Sequence, residues 1–294
     1  MKFSLHAALA ATLVAVATTA VAAEPPRPPA AEAFRIGKLQ AWSLRDADFG
    51  IPNDGKTFGA DVGPAEVSKV LAAAGRPIDK IPVDIDALLV KTGDRLVLMD
   101  TGLGPLAANQ LVASLKLAGF EPGQVTDVLI THTHSDHVMG LTTAAKALTF
   151  PNATVRMTDK EWTWMKSQTQ NAAVVALIEP RVKTFEAGAE LAPGIKAVPL
   201  DGHTPGHTGY EVRSGNARLL DLGDMVHSSV VSLARPEWAM AFDADRALGK
   251  TTRRTELTVL AKSGELVFTP HFPFPGVGRV VVQGDGFVWK PGVE

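Results

Sequence analysis

VLITHTHSDHVMG, residues 128–140, places three histidines and an aspartate between positions 132 and 137, directly behind an apolar, β-branched run. The chain holds eight histidines in 294 residues, so three in one short loop call for a chemical reason. His132 and His134 are separated by one residue. On an extended segment leaving a strand, such a pair points to one side. Asp136 and His137 follow as the chain turns. Neutral imidazole and carboxylate are ligands for zinc and similar divalent ions, and two ligand groups on one loop point to two neighbouring ions. A lone histidine is more often an ordinary surface or core residue; the clustering sets this loop apart.

Further along the chain the same residue types recur. Residues 199–210, PLDGHTPGHTGY, set His203 and His207 behind an expected strand, where Pro205 and the flanking glycines forbid a helix. Residues 219–227, LLDLGDMVH, put Asp224 at a strand end, after a glycine that frees the backbone. Residues 266–276, LVFTPHFPFPG, put His271 at another. Separate strand ends that each carry ligand-type residues fit a site assembled on the rim of a sheet. Asp221 precedes the glycine and is expected to be turned away or hydrogen-bonded. His227 is expected to support the site or the fold without joining the ligands.

The elements between these motifs alternate. Apolar–polar alternation over 34–44 reads as a half-buried strand, and 45–80 as irregular apart from a helix over 63–75. Strands are expected at 83–90 and 95–102, joined by a Thr92-Gly93-Asp94 turn, and at 125–131, 153–158, 194–200, 208–214, 217–223 and 265–269. Helices are expected at 106–118, ended by Gly119, at 159–168 with Asp159 near its start, and within 245–263. Residues 279–290 read as a hairpin on an Asp285-Gly286 turn. Trp162 and Trp164 are two apart on a helix and cannot share a face, so one of them at most lines a substrate pocket. Strands and helices interleave without repeats or an interior linker, which predicts one α/β domain over 34–294.

THTHSDH, DGHTPGH, LGD and the late TPH, in that order, resemble the metallo-β-lactamase fold superfamily, and LVLMDTGLG at 96–104 resembles its early Asp-Thr-Gly strand end. Within it, DGHTPGHTGY and HFPFPGVGRV are similar to the secreted methyl parathion hydrolase-like branch, near the quorum-quenching lactonases. The resemblance covers residue 34 to the C-terminus. It implies a four-layer αβ/βα sandwich with two divalent metal ions between the sheets, zinc first and manganese, iron or cobalt as alternatives. Carried over, one ion takes His132, His134 and His203, and the other takes Asp136, His137 and His271. Asp224 bridges them, and His207 and Asp100 orient ligands by hydrogen bonds.

The implied chemistry is hydrolysis by a water shared between the ions, its pKa lowered towards about 7. Asp136 lies beside that water to handle its proton, and Asp224 is the other catalytic carboxylate. The expected substrate is a small molecule with an ester-type bond: an organophosphate triester, an aryl ester or a lactone. An acyl-homoserine lactone lactonase proper is the main alternative, ahead of a β-lactamase and of a metal-binding module without turnover. Relatives in this branch are often dimers, so a homodimer is a further expectation.

Composition narrows the rest. The formal net charge is −2 with a pI near 6.5, and no Lys/Arg run exceeds the pair Arg253-Arg254. No nucleic-acid partner is therefore expected. Residues 1–23 carry one lysine and then an uncharged, alanine-rich run ending in A-x-A-like positions, which reads as a cleaved secretory signal. Alanine partitions too weakly for the run to be a good membrane anchor, so export to the periplasm or beyond is expected, with no stable membrane anchor after cleavage. Residues 24–33, EPPRPPAAEA, read as an extended spacer. With no cysteine, there is no disulfide, no thiolate nucleophile and no sulfur ligand; a metal site must be built from nitrogen and oxygen.

Overall fold

Neighbouring residues of one strand enter different cores. Leu88 and Val90 pack in one apolar cluster and Leu89 in another; Val97 and Met99 divide in the same way from Leu98, and Leu129 from Val128 and Ile130. A strand that buries both faces is apolar throughout, which is why the sequence around these positions shows no alternation. The computed structural model describes residues 27–107 and 109–292. The signal expected at 1–23 and the first residues of the spacer lie outside the described residues.

Seven strands form the first sheet in sequence order: β1 (Ala31–Ile36), β2 (Leu39–Pro52), β3 (Lys80–Thr92), β4 (Arg95–Met99), β5 (Asp127–Leu129), β6 (Thr154–Thr158) and β7 (Val182–Phe185). The second sheet runs in reverse order from β14 (Gly286–Pro291) through β13 (Val277–Gln283), β12 (Leu266–Phe268), β11 (Ala217–Asp221), β10 (Thr208–Ser214) and β9 (Ile195–Pro199) to β8 (Glu190–Ala192). The helices are α1 (Pro64–Ala73), α2 (Gln110–Leu117), α3 (Ser135–Val138), α4 (Asp159–Ser167), α5 (Ala172–Ile178), α6 (Val231–Ala234) and α7 (Arg246–Ser263).

Three cores define four layers. Leu111, Leu115, Trp162, Met165 and Val174 of α2, α4 and α5 cover the outer face of the first sheet. Val90, Met99 and Leu129 meet Tyr210, Val212, Leu219 and Phe268 between the sheets. Leu257 and Leu260 of α7 cover Leu220, Val267 and Val280 on the outer face of the second. This is the αβ/βα sandwich expected from the motifs. A smaller cluster, Val67 and Leu71 of α1 with Ile81, Val83 and Val231, closes one end.

Parallel pairing aligns the loops. β4, β5, β6 and β7 run parallel in the first sheet, and β11 and β12 in the second. Parallel neighbours release their following loops at one end, where ligand sites of α/β sheets form. Those loops hold Asp100, the 130–137 stretch, Asp224 and His271.

Several boundaries differ from the sequence reading. The strand expected over 34–44 is two strands, β1 and β2, broken at Gly37, whose φ of +57° suits the turn. β1 begins at Ala31, inside the stretch read as spacer. β2 continues to Pro52 through residues read as irregular, pairing with β3 across a bulge between Arg45 and Ala47. The charges of Arg45, Asp46 and Asp48 hide that strand from any hydrophobic pattern. The helix expected from 106 starts as α2 at Gln110, after a 3₁₀ turn at Gly104–Ala107. In the last hairpin Gln283 pairs with Gly286, so Gly284 and Asp285 make the turn, one residue earlier than expected; Gly284 supplies the positive φ of +59°.

Candidate metal centre

His132 Nε2 lies 2.9 Å from His134 Nδ1, and His203 Nε2 lies 2.9 Å from the same atom. Three ring nitrogens thus face one point. The opposite ring nitrogens show which form each imidazole takes. His203 Nδ1 is 3.0 Å from Asp243 Oδ1, a pure acceptor, so it carries the proton and leaves the Nε2 lone pair pointing inward. Thr131 Oγ1 donates to Asp100 Oδ2, so it accepts from His132 Nδ1, which again leaves Nε2 inward. One proton can bridge two such nitrogens; a tetrahedral cation satisfies all three.

The second group mirrors the first. His137 Nδ1 donates to Asp100 Oδ2 at 2.7 Å and His271 Nδ1 donates to the Asp84 carbonyl at 2.8 Å. Their Nε2 atoms face Asp136 Oδ2 at 3.6 and 3.5 Å. Asp224 joins the groups: Oδ1 lies 3.1 Å from His137 Nε2 and 2.9 Å from His271 Nε2. Its Oδ2 lies 3.5 Å from His132 Nε2 and 3.4 Å from His203 Nε2. In each group of four the ligand-type atoms lie within 4.8 Å of one another.

The donor set fits two divalent cations. It is all nitrogen and oxygen, and His137 Nε2 and Asp224 Oδ1 are buried and, despite their close contacts, make no hydrogen bond of good geometry among the described residues. Such atoms are costly unless something else binds them. Electrostatics divides the two halves. Burial holds His132 and His203 well below the ordinary imidazole pKa, so both are neutral. Burial also disfavours the charged forms of His137 and His271, but Asp224 and Asp136 outweigh it and raise both. Burial pushes Asp224 up, yet the surrounding histidines, His137 and His271 foremost, hold it well below the carboxylate range. The carboxylate-rich half draws positive charge, whether a proton or a metal ion.

Around this cage stands a set of braces. His207 Nδ1 donates to the Leu200 carbonyl, and its Nε2 accepts the Asp224 backbone N–H at 3.0 Å, which fixes the turn after β11. Gly223 must be a glycine here: its φ is +46°, and a Cβ would lie 2.7 Å from His207 Nε2. Asp221 accepts the Gly223 N–H, as expected of a residue turned from the centre. Glu161 of α4 takes four donors: Thr133 N–H and Oγ1 on one oxygen, Thr204 Oγ1 and Gly206 N–H on the other. It ties the 130–137 loop to the loop between β9 and β10.

All seven residues expected as ligands come together in the two groups, and Asp100 and His207 bond to members of them. His227 lies nearer than expected: its Nε2 is buried, unpartnered and 3.1 Å from Asp224 Oδ2. Of the two tryptophans, Trp162 is in the outer core and Trp164 packs edge-on against His134 at 5.5 Å. Glu161 and Asp243 escaped the sequence reading. The sequence reading set Asp159 near the start of α4; the cap is Thr158, whose Oγ1 accepts the Glu161 N–H. Asp243 sits in the loop before α7; its partner Arg253 was the available signal, a lone charge on the buried face of that helix with Gly249, Leu257 and Leu260.

A cavity of roughly 380 Å³ opens onto the cage. Asp136, His134, Asp224, His227 and His271 line its floor, and Phe49, Ile51, Val83, Ile85, Leu103 and Phe242 its walls; no Lys or Arg is among them. Among the described residues no helix is long and apolar enough to cross a membrane.

The family model of the metallo-beta-lactamase superfamily matches residues 81–287. A probable metallo-hydrolase of Bacillus subtilis (strain 168), YybB, is 27% identical over 162 residues, 52% of this chain and 67% of that protein. AidC, a dizinc quorum-quenching lactonase solved with its product N-hexnoyl-L-homoserine, superposes with a TM-score of 0.85 at 29% identity, covering 90% of this chain and 98% of AidC. The hydrolase AbOPH superposes with a TM-score of 0.82 at 28% identity, over 91% of this chain and 99% of AbOPH.

Proposed function

The chain belongs to the metallo-β-lactamase superfamily and is a metal-dependent hydrolase, and we propose that it opens uncharged ester-type bonds, N-acyl homoserine lactones first among them, with zinc as its metal. One observation carries the reading: the ligand cage floors a cavity whose walls are apolar and hold no cationic side chain. Substrates with an anionic group, such as phosphomonoesters, would find no counter-charge there. A neutral ring or ester with an apolar tail matches it. The likeness to AidC supports both the lactone and the zinc.

These residues would hold two divalent cations, which when bound would supply a Lewis acid for the substrate oxygen and a water whose pKa is lowered to about 7. The chain's own groups do the rest. Neutral His132 and His203 present fixed lone pairs. Asp224, pinned by His207, keeps one oxygen toward each group. Asp136 is the carboxylate most open to the cavity, its side chain 24% exposed against 4% for Asp224, and is placed to take the proton of an attacking water. The His227 ring lines the cavity floor with its Nε2 turned towards Asp224 Oδ2 at 3.1 Å. The apolar walls exclude bulk water and hold the tail.

A phosphotriester is also neutral and apolar, and it is the second reading. Parallel kcat/KM measurements on the zinc-loaded protein, with N-hexanoyl homoserine lactone and a methyl phosphotriester, test the choice. The lactone is expected to lead clearly. A lead for the triester would move the protein to the second reading, and failure on both with two zinc ions bound would discard the ester class.

A further inference from the structure

Arg253 projects from α7 into the interior and is 3% exposed. Its Nε donates to the Met225 carbonyl at 2.8 Å, Nη1 to the Pro236 carbonyl at 3.2 Å and Nη2 to Asp243 Oδ2 at 2.7 Å. The other Asp243 oxygen accepts His203 Nδ1–H. Met225 follows Asp224 in sequence, so one guanidinium holds the turn that carries Asp224 and, through Asp243, the ring of His203. The helix is pressed onto this loop. Ala244 and Asp245 donate backbone hydrogen bonds to the carbonyls of His203 and Gly202. A Cβ on Gly202 would lie 2.4 Å from the Gly249 nitrogen, and one on Gly249 would lie 2.8 Å from Asp243 Oδ2. Only glycine at both positions lets α7 sit this close.

We propose that Arg253 is a positioning residue for the metal centre: it holds the Asp243 carboxylate against His203 Nδ1 and thereby sets the strength of the His132–His134–His203 half. The inference rests on the two-metal reading above. The rings of His137 and His271 take their orientation elsewhere, from Asp100 and the Asp84 carbonyl, so the Asp243 contact reaches the first half only, while the Met225 contact bears on Asp224, which faces both. Lysine cannot replace the arginine, because a single ammonium cannot span three acceptors that a planar fork reaches together.

Chelator competition on the metal-stripped protein resolves the two zinc-binding steps, and the step lost in His203→Ala identifies the first half. Asp243→Asn is expected to weaken that step by about 10- to 100-fold and to leave the other step within about threefold, and Arg253→Lys, which also frees the Met225 turn beside Asp224, should weaken that step at least as much. The double variant should lose no more on that step than Arg253→Lys alone, since the Asp243 contact is common to both. Asp243→Asn keeps the arginine and its two carbonyl contacts, so it carries the test should the lysine variant fold poorly. Unchanged zinc binding in Asp243→Asn, losses in that variant shared equally by both steps, or losses that add in the double variant would each overturn the proposal. Native protein that binds fewer than two zinc ions would instead overturn the two-metal reading.

Discussion

Glu161 gathers four donors on two oxygens inside the protein, and its charge has no cationic partner among them. Glutamine is the same shape but turns one acceptor into a donor, which then faces Thr204 Oγ1 and the Gly206 N–H or the Thr133 pair. The threonine hydroxyl on that side can turn to accept, but the backbone N–H is left facing a donor inside the protein, so Glu161→Gln should cost roughly 1–3 kcal/mol in urea unfolding; an unchanged midpoint would show that the brace contributes nothing. Asp46 sets a different residue-scale test. Burial raises its carboxyl from 3.8 to about 6, against backbone N–H donors from Leu111 and Leu103 that lower it. The folded chain then binds this proton more tightly than the unfolded chain, so stability from Asp46 grows as pH falls from about 6 towards 3.8 and is least at neutrality. Asparagine does not titrate. Thermal melts of the metal-free protein should show wild type gaining roughly 1 kcal/mol on Asp46→Asn between pH 7 and pH 5, and parallel pH dependences would contradict this. At this scale the sequence was most informative where chemistry is rare: histidines beside glycines and aspartates at strand ends marked the loops, and the family resemblance picked the seven expected ligands out of them. It was blind to Glu161, Asp46 and Asp243, whose roles depend on partners 28 to 65 positions away in the chain.

Elements carry the substrate side of the site. The far ends of β2 and β3 contribute Phe49, Ile51, Val83 and Ile85 to one wall of the cavity, and the loop before α7 contributes Phe242, 47% exposed and 6.0 Å from the His227 ring. An exposed phenylalanine at the mouth of a cavity finds its partner in what binds there. Phe242→Ala should therefore lower kcat/KM for a long-chain acyl lactone by about tenfold, near 1.4 kcal/mol, while a short-chain lactone changes little. Equal losses for both chain lengths would mean that Phe242 supports the loop and does not meet the tail. Phe49 and Ile51 were not legible beforehand, because 45–80 lacks an apolar period: β2 runs on through Arg45, Asp46 and Asp48, whose charges are held by Pro28, Leu103, Leu111 and Arg27. A strand stabilised by such distant bonds leaves no local pattern. Strands apolar on both sides, such as β4 and β5, were found easily for the opposite reason.

Across the whole molecule, two sheets with parallel strands at their centres bring the loops after β4, β5, β11 and β12 to one rim, and each layer is held by its own apolar cluster. The order of ligand motifs along the chain already implied this layering through family resemblance; periodicity alone reached no further than an interleaved α/β domain. The division of Asp224 between two groups of imidazoles is the feature on which the whole reading turns. Zinc titration of the metal-stripped protein, followed by bound metal and by lactone hydrolysis together, tests it most directly. Two equivalents should bind, with hydrolysis appearing as the second is taken up, and Asp224→Asn should lose at least about 100-fold in rate while keeping its fold. Full hydrolysis in the metal-stripped protein, saturation at one equivalent, or native rates in Asp224→Asn would contradict it.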